Sequence, residues 1–401
     1  MLDGWSVSVF NAELTKLLSR RGDGTLPALK HTYADYCALL LARSRAADID
    51  IFWKKTMCGY TRNKLPYNYK GLRISDQLGM RCASRQLGLD LLNKLQLLAQ
   101  RHQVSLKSIC LAAHTLLMHV VAAENDVVTG FVSHDRPEIE DGDKILGCFL
   151  NTVPVRINFD KINDVESLLK YTHSYLVEVK AREIHLGDVV RIIDEKVSSV
   201  NPIFDTLLNF TDFHSYYDVN SDSGVVAFNP GWKQASIGDS KEMTNTLFDV
   251  EVDKTLDQFS VRIKFTPAYF TDDQVKSALE LYANLLTQIA DEPNAPLASL
   301  SLLSDCEYQA VVLDFNNTFR SYADTRLLHQ LFEDRVAEVP DYPALVQHGV
   351  TLTYRQLNER ANRLARLLLE YGVTTSENVG VLTSRSFDMI IGMLAVLKAG
   401  G

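Results

Sequence analysis

The sequence lacks the features that mark membrane, secreted and nucleic-acid-binding proteins. No apolar run approaches the roughly 20 residues that a transmembrane helix needs. The first residues contain neither the basic region nor the apolar region of a secretory signal peptide. Lysines and arginines number 41 against 50 acidic residues, and the net charge of −9 argues against general binding to nucleic acid. These absences predict a cytoplasmic protein that binds neither membrane nor nucleic acid.

Cysteine is present but never in a C-x-x-C pair, and the sequence contains no complete phosphate-binding loop. Scattered cysteines predict reduced, mostly buried thiols rather than a disulfide framework or a zinc site. Gly400 and Gly401 are not part of a G-K-[ST] sequence. We therefore expect no metal ion and no cofactor bound by this chain itself. The six cysteines are Cys37, Cys58, Cys82, Cys110, Cys148 and Cys306.

The length of 401 residues predicts two or three folded units with room for a sizeable core. The composition changes over residues 291–325, where prolines and asparagines occur without a long hydrophobic period. We predict that this stretch is a linker and that a new unit begins near Leu327.

Hydrophobic periodicity predicts a chain that contains both helices and strands. An amphipathic run over 7–18 predicts a helix capped by Ser6 or Ser8, and 33–53 predicts a second helix. Residues 105–123 are apolar almost all round, which predicts a buried helix with Ser105 as its N-cap. Further helices are predicted at 87–102, 165–181, 271–289, 327–338 and 355–371, a short element at 185–195, and strands at 201–213, 224–232, 245–252 and 258–265.

Local signals at the ends of these elements add detail. Thr271 is predicted to cap the helix that follows it, and Gly372 to end the helix before it. A hairpin is predicted to turn near Gly349. Residues 377–401 predict a strand, a turn and a helix, and residues 65–80 a polar loop with a strand-like edge.

One central stretch combines two strand-like runs with a charged loop. The runs are 127–132 and 149–159, and the loop over 134–144 carries five acids and Arg136. The residues alone leave two interpretations open. The stretch is either a surface hairpin or a hairpin that lines an enzyme's pocket.

Sequence motifs decide between these interpretations by resemblance. GCFLNTVPVR resembles the G-x-F-x-N-T-x-x-x-R motif of the condensation domains of nonribosomal peptide synthetases, and GFVSHDRP resembles the strand and S-x-R-P loop that precede it. LDGWS resembles the end of the family's H-H-x-x-x-D-G motif. NPIFD resembles its R-N-P-L-F-D motif, with Val200 in place of the arginine. LTYRQLNERAN and LKAGG resemble the first core motif and the start of the second core motif of amino-acid adenylation domains.

The resemblance implies an α/β fold of the chloramphenicol acetyltransferase-like condensation type. It implies the end of a first lobe at 1–80, a complete second lobe at 81–290 and a linker at 291–325. Residues 326–401 would then begin an adenylate-forming enzyme fold.

The resemblance also implies an activity and its partners. In this family, two phosphopantetheine arms of carrier protein domains enter a tunnel between the lobes. An aminoacyl amine then attacks a thioester carbonyl and forms an amide. The expected partners are peptidyl or acyl carrier protein domains and neighbouring synthetase modules. ATP and Mg²⁺ would serve only the complete adenylation domain.

The implied site residues are Asp3 and Gly4, which match the D-G of the motif, together with Arg136 and Asn151 at the lobe contact. The motif's histidines would precede Met1, so we expect this chain alone neither to form amides nor to activate amino acids. Arg136 and Asn151 have either a structural or a chemical role.

Two other functions stay open at this stage. The chain could be a non-catalytic module that docks carrier proteins. It could instead be a stand-alone acyltransferase of the same fold that uses another base, such as His134 in the charged loop.

Overall fold

The computed structural model describes residues 2–19, 26, 28–65, 80–196, 201–212, 238–240, 244–254, 258–321 and 326–401. The chain divides into two units, Met1–Asp314 and Phe315–Gly401. The division lies inside the segment predicted to be a linker.

A mixed sheet lies at the centre of the first unit. Its described strands are β1 (Met80–Gln86), β2 (Asp126–His134), β3 (Leu150–Asn158), β4 (Thr206–Thr211), β5 (Gly238–Ser240), β6 (Phe248–Asp253) and β7 (Ser260–Phe265). They are ordered β3-β2-β4-β6-β7-β1-β5. The β2–β4 and β4–β6 pairs are parallel, whereas the other pairs are antiparallel. Parallel neighbours need long crossover connections, and helices supply one between β3 and β4. The predicted α/β class is confirmed.

Helices flank the sheet in the described part of this unit. The α-helices of seven or more residues are α1 (Gly4–Ser19), α2 (Tyr33–Arg43), α3 (Ala47–Thr56), α4 (Leu89–His102), α5 (Leu106–Ala122), α6 (Val165–Ala181), α7 (Leu186–Ile192) and α8 (Asp272–Asp291). The Ser105 and Thr271 side chains accept backbone N–H groups at the starts of α5 and α8, as predicted.

The core is built around α5, as its apolar composition predicts. Ile109, Leu111 and Leu117 are fully buried, and burial of each such side chain contributes about 1.5–3 kcal/mol. Among the described residues, no single helix has the length and apolar content of a membrane span. The α4–α5 pair passes that test only across a bend of 104°.

Several local predictions are wrong or fall outside the described residues. The cap of α1 is Asp3 rather than Ser6 or Ser8, because the Asp3 carboxylate accepts the Ser6 N–H at 2.7 Å. The single helix predicted over 33–53 is two helices, since Ala46 takes an extended backbone conformation between them. The predicted strand at 224–232 and most of the predicted loop at 65–80 lie outside the described residues.

Residues 326–401 of the second unit form a hairpin and three helices. Its elements are β8 (Pro343–Gln347), β9 (Val350–Thr353), α9 (Leu328–Glu338), α10 (Tyr354–Glu370) and α11 (Phe387–Ala399). Gly349 and Gly372 have φ of +78° and +93°, which glycine adopts without strain, at the hairpin turn and after α10. The strand predicted early in 377–401 does not form. Leu382 is fully exposed, and no neighbour within 326–401 supplies the ladder partners that a strand requires.

Candidate functional site

Asp3 joins the start of α1 to the segment before β3. Its side chain is buried; one carboxylate oxygen accepts the Ser6 N–H at 2.7 Å and the other accepts the Phe149 N–H at 3.0 Å. The Asp3 backbone N–H donates to the Gly147 carbonyl at 3.0 Å. The D-G motif and the G-x-F motif therefore meet in space. Gly4 is the first residue of α1 and is exposed.

Arg136 is the cation of this site. Its Nη2 lies 3.3 Å from the Asp3 carboxylate and donates to the Ser6 hydroxyl at 3.0 Å. Its Nη1 donates to the carbonyl oxygens of Ile145 at 2.6 Å and Gly142 at 3.2 Å. Burial lowers the pKa of Arg136, and the Asp3 carboxylate opposes that shift. A guanidinium with these partners stays charged at neutral pH.

Aromatic rings pack around the ion pair. The Arg136 guanidinium lies 4.1 Å from the centroid of the Phe149 ring, a distance at which a cation is attracted to the ring face. The Tyr33 ring contacts Phe149 edge-on at 5.3 Å, and its hydroxyl donates to the Cys148 carbonyl. A Cβ on Gly147 would lie 2.2 Å from the Tyr33 ring, so only glycine fits at that position.

Asn151 belongs to a neighbouring cluster rather than to the Asp3–Arg136 pair. Its side-chain amide donates to the Glu183 carboxylate at 3.1 Å and to the Ile184 carbonyl at 2.8 Å. Ser133, opposite Asn151 in the β2–β3 ladder, donates to the same carboxylate at 2.8 Å. The motif match identified Asn151, but the sequence contained no signal for the buried Glu183 that holds it.

Lys180 and Asp135 connect the two clusters. The Lys180 ammonium lies 2.8 Å from the Asp135 carboxylate and 2.9 Å from that of Glu183. Arg43 on α2 contacts Asp135 at 3.0 Å. The pKa of Tyr36, whose hydroxyl faces Asp135, is raised by burial and by that carboxylate. Sequence reasoning missed these residues because their partners lie far away in the chain.

His134 lies at the edge of the site. It is exposed, and its ring centroid is 6.0 Å from that of Trp5. Partial burial lowers the pKa of His134, and the cations Arg136 and Lys180 lower it further, so the ring is mostly neutral at pH 7. Within the described residues, no hydrogen bond orients this ring. A histidine without an orienting partner is poorly prepared to act as a general base.

Hydrogen bonds join α1 to the loop between β2 and β3 through Asp3, Ser6, Gly147, Phe149 and Arg136, which are together called the floor. Among the described residues, no group of three or more histidine, cysteine, aspartate and glutamate side chains could hold a metal ion. The Asp3 N–H and carboxylate are both bonded to residues 147–149. The backbone next to Asp3 is therefore held against the loop between β2 and β3.

Comparisons with known proteins bear on the family. Residues 1–312 match the family model of the condensation domain, and residues 332–401 match that of AMP-binding enzymes. The whole chain aligns with bacitracin synthase 1 of Bacillus licheniformis at 26% identity and with tyrocidine synthase 3 of Brevibacillus parabrevis at 30% identity. It spans only 8% and 6% of those two proteins.

Solved structures agree on the fold. All of the chain superposes on 31% of holo-AB3403, a four-domain nonribosomal peptide synthetase bound to AMP and glycine, with a TM-score of 0.67 and 17% identity. That similarity confirms the condensation fold followed by the start of an adenylation domain.

Proposed function

Since this chain belongs to the condensation-domain family, we propose that residues 1–312 help to form an amide bond between substrates carried by a nonribosomal peptide synthetase. Residues 332–401 would begin the domain that activates an amino acid. We further propose that 1–80 ends the first lobe, that 81–290 is the second lobe and that 291–325 is the linker. The partners would be carrier protein domains and neighbouring modules.

The observation that carries this proposal is the Asp3–Arg136 contact. The two residues come from separate motifs, yet Asp3, Ser6 and Arg136 form one buried network. In the proposal Asp3 and Arg136 are positioning residues. They hold the backbone on the N-terminal side of Asp3, where the H-H-x-x-x-D-G motif has its histidines.

The chemistry in this proposal consists mainly of orientation. An amine and a thioester held by two carriers react as if they were one molecule, and such proximity supplies about 7–11 kcal/mol. A floor that cannot shift is what this mode of catalysis requires. Asn151 contributes by holding the end of α6 against β3 through Glu183 and Ile184.

The group that this chemistry needs is the phosphopantetheine of the carriers. ATP and Mg²⁺ would serve the complete AMP-binding domain. We place the protein in the cytoplasm because its cysteines are scattered and the described ones are unpaired.

Binding of a loaded carrier domain tests the proposal. The carrier would bear an aminoacyl group joined to its phosphopantetheine through a stable amide, and fluorescence anisotropy would report its binding to the chain. We expect saturable binding that requires the aminoacyl-phosphopantetheine group of the carrier. The Kd should rise at least about fivefold in Arg136→Met. Arg191→Met is the matched control, because Arg191 forms an exposed ion pair in the same unit. Failure of the loaded carrier to bind would refute the proposal.

A second assay separates the remaining functions. The assay uses a synthetase module that supplies the two motif histidines before Met1. Amide formation by that module from a donor and an acceptor carrier supports condensation, whereas binding without amide formation supports a docking module.

A stand-alone acyltransferase that uses His134 has less support, because that ring has no orienting partner. The spacing H-x-x-x-D occurs at His31–Asp35 and His214–Asp218. Asp35, however, accepts the Thr32 N–H and hydroxyl in the capping box of α2, and 214–218 lies outside the described residues. Activity that is lost in His134→Ala would favour this function.

A further inference from the structure

We infer that Asp135 is a positioning residue for this site: it ties the Asp3–Arg136 floor to helices α2 and α6. The expected effect of Asp135 on catalysis rests on the proposed function. Its effect on the position of Arg136 can be measured without any enzymatic activity.

The backbone of Asp135 reaches Asp3 through a single residue. The Asp135 N–H donates to the Phe149 carbonyl at 2.9 Å, and the Phe149 N–H donates to the Asp3 carboxylate at 3.0 Å. Asp135 is also the residue that precedes Arg136, whose guanidinium lies over the Phe149 ring. Asp3 and Arg136 therefore both contact Phe149, and the Asp135 N–H binds the Phe149 carbonyl.

The side chain of Asp135 is bound from two directions. It is 6% exposed, and it receives Arg43 from α2 at 3.0 Å and Lys180 from α6 at 2.8 Å. The carboxylate is nearly buried, whereas the Arg43 side chain is 39% and the Lys180 side chain 49% exposed. Removal of the acid would therefore leave two partly exposed cations without the carboxylate that holds both. The clasp, defined here as Arg43, Asp135 and Lys180, joins two helices to one loop.

The clasp also reaches the second cluster. Lys180 contacts Glu183 and the His134 carbonyl as well as Asp135. Glu183 in turn holds Asn151 of β3. A movement of α6 or α2 would thus be transmitted to the loop that carries Arg136. In the proposed function, such a movement would change the position of the tunnel floor.

Trp5 supplies a reporter of the floor that does not contact the clasp. Its indole N–H donates to the Asp143 carbonyl at 2.9 Å, and Arg136 Nη1 lies 3.5 Å from the same oxygen. The Arg136 guanidinium is 5.8 Å from the Trp5 ring centroid. Displacement of Arg136 is therefore expected to change the ¹⁵N-indole NMR resonance of Trp5. The chain has three tryptophans, and the resonance that disappears in Trp5→Phe belongs to Trp5.

The test substitutes Asp135→Asn in the 401-residue chain and records that resonance. We expect it to shift or broaden, whereas Glu140→Gln leaves it unchanged. Glu140 is the matched control because it lies in the same loop as Asp135 and also pairs with a cation, Lys30. Both side chains of that pair are exposed. A lower melting temperature with an unchanged Trp5 resonance would overturn the inference and make Asp135 an anchor for stability alone.

A second variant covers the case in which Asp135→Asn does not fold. Arg43→Met removes one arm of the clasp from a side chain that is 39% exposed. We expect it to shift the Trp5 resonance in the same direction as Asp135→Asn, and to add no further shift in the Asp135→Asn background. Shifts of opposite direction, or no shift, would contradict the inference.

Activity separates this inference from the proposed function. In a protein that forms the amide, we expect Asp135→Asn to lower kcat by roughly ten- to a hundredfold with little change in the KM for the carriers, because small misplacements of reacting groups are costly. If a synthetase module that supplies the two motif histidines never forms the amide, the proposed function is refuted and the NMR result stands.

Discussion

Asp3 and Arg136, 133 residues apart in the chain, form an ion pair whose side chains are 1% and 6% exposed. In such a pair each charge depends on the other, because water no longer stabilises either group. Breaking a buried pair by removing one partner is much more destabilising than replacing the pair as a whole.

Removal of Asp3 is expected to destabilise the first unit strongly. Asp3→Ala leaves Arg136 buried without its carboxylate and removes the cap of α1, which together should cost about 3–5 kcal/mol. Urea denaturation measures this change. Asp3→Ala combined with Arg136→Met should cost less than the sum of the two single substitutions. Strict additivity would contradict direct coupling. Asp141→Asn, which alters a more exposed pair in the same loop, is the control.

Gly147→Ala is expected to destabilise through overpacking. The added methyl would lie 2.2 Å from the Tyr33 ring, so the ring or the loop must move, at a cost of about 1–3 kcal/mol. Gly187→Ala is the comparison, since a Cβ there has nothing within 4 Å. Thermal unfolding of both variants checks the prediction, and equal midpoints would contradict it.

Stability should fall in acid because of His114. This residue is fully buried and bonded to Thr129, and burial lowers its pKa to about 3. The unfolded chain binds the proton near pH 6.5, whereas the folded chain binds it only near pH 3. The contribution of the neutral ring to the free energy of unfolding is therefore present above pH 6.5 and is lost as the pH falls toward 3. Between pH 7 and pH 5 the loss is about 2 kcal/mol.

The variant His114→Gln isolates this effect. Its unfolding free energy should depend less on pH between 7 and 5 than that of the unsubstituted chain, whatever its absolute stability. His185→Gln, at an exposed position, is the control for removal of a histidine. If His114→Gln keeps the full dependence on pH, another group is responsible.

Asn151→Ala is expected to destabilise the protein without disturbing the floor. The substitution removes a donor from the buried Glu183 carboxylate and from the Ile184 carbonyl, which should cost about 1–3 kcal/mol in urea denaturation. The Trp5 indole resonance should stay in place, because the Asp135 contacts with Lys180 and Phe149 do not involve the Asn151 side chain. A shifted resonance would mean that Asn151 itself helps to position the floor through Glu183 and Lys180.

Local patterns were sufficient for much of the fold. The bounds of α6 and the caps of α5 and α8 follow from residues within one helical turn, where propensity and capping dominate. Some wrong predictions lie where a distant group decides. Asp3 is held by the Phe149 N–H and the Gly147 carbonyl, and it became the cap of α1 although two serines follow it. The strand expected in 377–401 has no neighbour within 326–401 with which to form a ladder.

The sequence by itself determined the α/β class, the family and the identity of Asp3, Arg136 and Asn151 as residues of interest, because motifs and periodicity are properties of neighbouring positions. Only the tertiary structure decided which of these residues act together. It paired Asp3 with Arg136, assigned Asn151 to Glu183 and revealed Asp135 between Arg43 and Lys180. A buried charge is matched by whichever opposite charge the packing of helices and strands brings within about 3 Å, and that choice cannot be made from positions that lie a hundred residues apart in sequence.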